Sequence, residues 1–423
     1  MTIPNTMEGA RQADAADPLA SYREQFLFPQ NDADKVLYFT GNSLGLQARR
    51  ARTILMEELD DWARWGVDGH LEAERPWLSY HENFSAALAR IVGAKETEVV
   101  AMNGLTTNLH LMMVSFYRPQ GKRTKILCEG KAFPSDQYAL HSQLRFHGLD
   151  PVEHLIEIMP DPETELIEED RIIEAIDANR DELALVMIGG VNYYTGQWFD
   201  MERITDAGKR AGAMVGWDLA HAAGNVPLEL HKWNVDFAAW CGYKYLNSGA
   251  GGISGIYINK KHLKKDINRF EGWWGNKLST RFEMEKNYDP DNSAEAWVLS
   301  NPPVILLDMH LAALKVFDKV GIKNIFRKSK ELTAFLYNGL LLVDPEEFFF
   351  KIITPSSKEK RGAQLSLLFK KNAKKVFEKL NKKFVVDYRK PDVIRVAPVP
   401  LYNSFYEIFL FISELKKILN ETK

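Results

Sequence analysis

Between Ala51 and Trp65 the apolar residues Ile54, Leu55, Leu59 and Trp62 recur at helical spacing with acids on the opposite face, and the pattern stops at Gly66. This predicts a helix. Upstream, Asp17 and Pro18 ahead of Leu19, Tyr22 and Phe26 predict a capped helix start, and VLYFTGNSLGL reads as a strand and a glycine turn. VVAMNGLTTNLHLMMVSF places a short apolar strand before Asn103 and Gly104, then a helix opening with Leu105, Thr106 and Thr107. KILCEGKAFPSDQYAL repeats that order, strand, turn and helix. Leu166, Ile172, Ile173 and Ile176 mark a further helical face, followed by the buried strand LALVMIGGV, the helix MERITDAGKRAG and the strand AMVGWD. Such alternation implies an α/β fold whose large domain has a mainly parallel sheet covered by helices. Beyond about residue 305 come PPVILLDMHLAALKVFDKV, the strands FFFKIIT, AQLSLLF, FVVDYR and DVIRVAPVPLY, and a last helix from Ser404, which read as a smaller α/β domain. The expected division is a flexible arm over 1–16, a segment at 17–70 associated with the small domain, a large domain over 71–305 and the small domain over 306–423.

Composition narrows the function classes. A chain of 423 residues, 45% hydrophobic, can bury a large core in roughly two domains. Its net charge of −3 argues against nucleic acid as a main partner. Cys128 and Cys241 are too far apart in sequence for a metal-site pattern and too few for a disulfide framework, so no metal is expected. The first twenty residues lack the basic start and apolar stretch of a secretory signal, and VILLDMHLAAL is broken by Asp308 and His310. A soluble cytoplasmic protein is the expectation, with no membrane association. Lysine is scarce in roughly the first 240 residues and abundant afterwards, which reads as a solvated helix surface or as the mark of a recombined chain.

In sheets of this kind ligands gather at the carboxyl ends of strands. The turns after VVAMNG, LALVMIGG, WD and YK all fall there. Asp218 and His221 follow one strand, Tyr243 and Lys244 the next, and the cluster SGAGGISG comes directly after. An amine among Trp240, Cys241, Tyr245 and Leu246 beside a carboxylate suits pyridoxal phosphate: Lys244 as the Schiff-base residue, Asp218 holding the ring nitrogen's proton. Alternatively the pair is a solvated lysine and a turn-capping aspartate. Thr106 at a helix start suits a phosphate or an ordinary N-cap. Phe133 could cover an aromatic ring, while Ser135 and Asp136 are polar contacts or a cap. GAGGISG runs into a β-branched stretch, so it is not a dinucleotide fingerprint, and no GxSxG elbow is present. The segment GVDGHLEAERPW, carrying His70, follows neither period; it is a site loop or a surface connection anchored by Trp77. Trp273, Trp274 and Trp297 read as packing residues. Arg395 lies in the apolar strand VIRVAP, where either a substrate carboxylate or a partner such as Asp387 or Asp392 would satisfy it.

Taken together, YFTGNSLGL, GLTTNLHLMM, FPSDQYA, YYTGQWFD, the run from WDLAH to YKYLNSGAGG, GWWGN, SNPP and VIRVAPVPLYNSF resemble the kynureninase family over about residues 38–405. The resemblance implies a fold type I pyridoxal 5'-phosphate enzyme, a homodimer with sites completed across the subunit boundary. It implies hydrolysis of L-kynurenine or its 3-hydroxy form to an anthranilate and L-alanine, in tryptophan catabolism and NAD biosynthesis. By similarity Lys244 and Asp218 take the roles given above, His221 lies beside Asp218, and Phe133 stacks on the ring. Leu105, Thr106, Pro134, Ser135, Asp136 and Tyr243 complete the cofactor's surroundings, with Trp273 and Asn301 from the neighbouring subunit. Arg395 resembles the clamp for the amino-acid carboxylate. His70, Ser300 and Asn301 match members that favour the 3-hydroxy substrate, and Tyr243 is the residue expected to move protons when water adds to the aryl ketone. Asn276 and Gly189 depart from the family pattern, which often has histidine and serine there. The rival readings are a cysteine desulfurase-like lyase, which usually has histidine before the lysine and a loop cysteine, and a catalytically silent binding protein on the same fold.

Overall fold

A computed structural model describes residues 3–31, 34–264 and 266–421. Among the described residues, seven strands form the main sheet in the spatial order Val99–Ala101, Gly255–Ile258, Phe237–Trp240, Met214–Asp218, Leu183–Gly189, Lys125–Glu129 and Leu155–Ile158. Gly255–Ile258 is antiparallel to both neighbours, and the other pairs are parallel. Every strand except Gly255–Ile258 therefore presents its carboxyl end at one edge. The strands are nearly continuous apolar runs because both faces are covered. Val186, Trp217 and Ala238 belong to one hydrophobic cluster and Leu185, Met187, Phe237 and Ala239 to another, the two-residue alternation of a pleated strand. Helices Glu82–Val92, Glu169–Ala178 and Met201–Arg210 supply the first cluster; Leu105–Phe116 and Pro134–Phe146 supply the second.

A second, antiparallel sheet orders Phe350–Ile352, Leu365–Phe369, Val393–Val396 and Asp387–Arg389. Its core is shared with Ile322–Val343, Ala373–Leu380 and Phe405–Asn420. Ser404 caps the last of these helices through a reciprocal pair with Glu407.

Local patterning and tertiary packing part company at several points. In place of a loose arm, Met7–Ala15 is a helix capped by Thr6, with Ala10 fully buried in the small core. The Asp14 carboxylate accepts from the backbone N–H groups of Phe405 (2.7 Å) and Tyr406 (3.0 Å), tying this helix to the N-terminus of the last one. The helix expected at Asp17 is a 3₁₀ segment, Ala20–Gln25, and the Asp17 side chain accepts from Leu19 N at 2.9 Å and pairs with Lys328 at 2.7 Å. Helix Val304–Val320, grouped by texture with the small domain, puts Leu307, Leu311, Leu314 and Phe317 into the large core. The 17–70 segment is divided: Leu19, Phe26, Leu46 and Ile54 lie in the large core, whereas Phe39 lies in the small one and Leu37–Tyr38 pairs with Phe384–Val385. No helix among the described residues is long and apolar enough to cross a membrane.

Candidate active site

Strand exits at the shared sheet edge build the site. Strand Met214–Asp218 ends on Asp218, which is 6% exposed and accepts from Ala220 N at 2.6 Å. Beyond Phe237–Trp240 the chain turns through Tyr243 and Lys244, and Lys244 Nζ lies 3.1 Å from His221 Nε2. Gly45 packs against this turn: its N–H donates to Tyr243 O at 2.8 Å, and a Cβ there would stand 2.3 Å from Lys244 O. Only glycine allows so close a backbone approach.

Two helices begin at the same cleft. After Val99–Ala101, Asn103 adopts a left-handed conformation (φ 48°), and Gly104 is the N-cap of Leu105–Phe116. Phe133 is the N-cap of Pro134–Phe146, placing Pro134, Ser135 and Asp136 in its first turn. Neither helix has a side-chain cap, so both leave orphan N–H donors and a positive dipole end for an anion. Thr106 is a first-turn residue and not the N-cap. The cleft between them is lined by Leu105, Thr106, Phe133, Ser135, Asp136, Asp218, His221, Tyr243 and Lys244. The Phe133 ring centre lies 5.9 Å from Lys244 Nζ and 5.3 Å from the Tyr193 ring, which meets it edge-on.

Burial pushes both Asp136 and Asp218 above the usual carboxylate range. Asp218 also repels the charge on Asp136, whereas Ala220 N–H, Asp136 and Lys244 support the charge on Asp218. Of the two, Asp136 is pushed up further, so a proton shared by the pair favours Asp136. Burial, Lys244, Arg395 and Arg389 hold His221 well below the ordinary histidine value, so its imidazole is neutral. Burial and the neighbouring Cys241 raise the Tyr243 phenol, which stays protonated. His221 Nδ1 and Asp136 Oδ1 are buried and meet no hydrogen-bonding partner within the chain.

Other expected residues lie outside this lining. Pro134 is exposed at the helix start. Arg395 is 1% exposed and pairs with Asp387, one of the two structural partners the sequence offered, while Nη1 donates to Tyr193 O at 2.6 Å. Tyr193 lines the cleft, so Arg395 stands directly behind it. His70 Nδ1 meets Val67 O at 2.9 Å, with its ring edge-on to Trp77. Ser300 and Asn301 are exposed, and Trp273 is 41% exposed, unlike the buried Trp274 and Trp297. Asn276 serves its own loop, accepting from Asp289 N at 2.7 Å and donating to Thr280 Oγ1 at 3.2 Å. Glu129, Val191 and Tyr193 line the cleft without having been singled out by sequence. KILCE reads as an ordinary strand, and the one available signal was that Glu129 also ends a strand at this edge.

The chain is 51% identical to a kynureninase from Christiangramia forsetii over 420 residues, covering 99% of both sequences, and 48% identical to one from Myxococcus xanthus, covering 98% of this chain and 99% of that one. The chain belongs to the kynureninase family. A model of the kynureninase C-terminal domain matches residues 325–415. Kynureninases are pyridoxal phosphate-dependent hydrolases acting on carbon–carbon bonds. In fold, the chain is similar to the cysteine desulfurase CsdA from Escherichia coli (TM-score 0.75, 16% identity, 95% of this chain and 98% of that one). It is also similar to a C-DES mutant with glycine covalently linked to its PLP cofactor (TM-score 0.73, 17% identity, 90% and 96%). These likenesses establish the architecture, not the reaction. Cys128 and Cys241 are both buried, so neither offers the loop thiol of a desulfurase. The residues of the cleft fit the kynureninase cofactor: an amine for its aldehyde, a buried carboxylate for its ring nitrogen and two uncapped helix starts for its phosphate.

Proposed function

We propose that this chain cleaves the Cβ–Cγ bond of L-kynurenine and 3-hydroxy-L-kynurenine to an anthranilate and L-alanine, with the 3-hydroxy substrate preferred. The observation that carries the chemistry is the cleft itself, where Lys244, the Asp136–Asp218 pair and two helix N-termini converge. When bound, pyridoxal phosphate supplies an electron sink conjugated to the substrate α-carbon.

The chain's own groups divide the remaining work. Asp218 holds a proton at the ring nitrogen, its charge favoured over that of Asp136, which burial and Asp218 itself push up further. Thr106, Ser135 and the orphan N–H groups bind phosphate. Lys244 moves the α-proton, and the neutral His221, 3.1 Å away, gives its amine a hydrogen-bond partner without adding charge. Tyr243, kept protonated, acts first as a donor when water adds to the aryl ketone. Arg395 grips the amino-acid carboxylate.

Specificity falls to His70, Ser300 and Asn301. Because a carbonyl only accepts, the contact with Val67 O puts the proton of His70 on Nδ1 and leaves Nε2 as an acceptor, apt for a phenolic hydroxyl. His70, Trp273, Ser300 and Asn301 lie outside the cleft of their own chain, which supports a homodimer in which Trp273 and Asn301 serve the neighbouring site. Mixing inactive Lys244→Ala and Asn301→Ala chains should then restore activity in hybrid dimers; no restoration refutes shared sites. The direct test adds each substrate separately to cofactor-loaded protein and follows fluorescent anthranilates and alanine. Failure to release either product overturns the function, and equal or better kcat/KM for plain kynurenine overturns the preference.

A further inference from the structure

Glu129 ends the strand Lys125–Glu129 at the cofactor edge, is 4% exposed and lines the cleft. Its Oε2 accepts from Gly189 N at 2.8 Å. Gly189 pairs with Asp218 in the parallel ladder, so the two carboxyl groups flank a residue that has no side chain. A Cβ on Gly189 would stand 3.1 Å from Glu129 Oε1 and 3.3 Å from Oε2, which means the carboxyl group fills the space over that glycine.

The groups facing Glu129 leave little to support a charge. Asp218 adds repulsion from the strand beyond Leu183–Gly189, Asp136 from the neighbouring helix interacts unfavourably with it, and Cys128 and Tyr193 carry no positive charge. Gly189 N–H and the Asn192 side chain are its donors, and the Lys244 amine acts on Asp136 and Asp218. Burial, the largest effect, pushes Glu129 up to about 8.

Resting on the cofactor site argued above, we propose that Glu129 is a positioning residue: as a neutral acid it holds the Gly189 strand end and leaves Asp218 to carry the negative charge that meets the ring nitrogen. Two substitutions separate this from simple packing. Glu129→Gln keeps the shape, the neutral state and an acceptor for Gly189 N–H. Glu129→Ala removes the acceptor and orphans a buried donor.

The test titrates apoprotein with pyridoxal phosphate and follows the visible absorbance of loaded protein from pH 6.5 to 9.5. Glu129→Gln should bind the cofactor at pH 7 within about twofold of the parent, and Glu129→Ala at least about tenfold more weakly. The parent should show a spectral inflection near pH 8 that Glu129→Gln lacks. Identical pH profiles for the parent and Glu129→Gln, or loss of cofactor binding at pH 7 in Glu129→Gln, overturn the inference. A parent chain that gains no Lys244-dependent visible absorbance would instead overturn the cofactor site itself.

Discussion

Replacing Arg395 with glutamine tests the assignment of the carboxylate grip. The guanidinium is 1% exposed, donates to Tyr193 O at 2.6 Å and pairs with Asp387, which lies opposite it in the strand register. Its Nε is buried and meets no partner within the chain. Truncating one member of a buried, hydrogen-bonded charge pair costs about 2–5 kcal/mol of binding. At about 1.4 kcal/mol per decade, a loss of about 3–4 kcal/mol lowers kcat/KM by about 10²–10³-fold. The loss should fall mainly on KM, because the grip acts on the ground state and the transition state alike. Folding should suffer less than the ~3–5 kcal/mol of an orphaned buried charge, since Asp387 keeps Arg389 at 3.1 Å. Steady-state kinetics on kynurenine, with thermal unfolding run in parallel, measure both. Arg395→Lys, which keeps the charge but not the planar fork, should fall between the parent and glutamine. A glutamine variant with normal stability and a KM within about twofold of the parent would refute the argument.

Gly45→Ala would drive a methyl group to 2.3 Å from Lys244 O and 2.5 Å from Asn247 Nδ2; an overpacking cost of about 1–3 kcal/mol and weaker cofactor loading are expected, read by unfolding and by visible absorbance. Asp14→Ala removes the cap on Phe405 and Tyr406 and should cost about 1–2 kcal/mol in denaturant unfolding, with kcat unchanged. Asp236 is pushed up by burial, but His262, Lys209 and Lys261 outweigh this and hold it below the usual carboxylate range. A depressed folded-state value means the contribution is complete above the ordinary carboxylate value and is lost as the pH falls. Asp236→Asn should therefore lower Tm at neutral pH and flatten its decline on acidification; a parallel acid limb would contradict the assignment.

Periodicity and end signals were enough for the helix from Ala51, the strand-to-helix turns at Gly104 and Phe133, the last helix from Ser404 and the placing of Asp218 and Lys244 on neighbouring strand ends at one sheet edge. All depend on residues within a few positions of one another or on the direction rule for parallel strands. What the tertiary structure decided is which of several possible partners meet, whether eight residues apart or several hundred. Asp387 meeting Arg395 is a matter of register, Asp14 reaching Phe405 of docking, and Glu129 leaning over Gly189 of strand order. Helix Val304–Val320 joined the large core because its apolar stripe met the helices Ala51–Trp65 and Glu82–Val92, a choice composition does not encode. Spacing dictates which face of an element is apolar; which other face covers it, and which carboxyl group ends beside which, is set by the competition among all such surfaces when the chain packs.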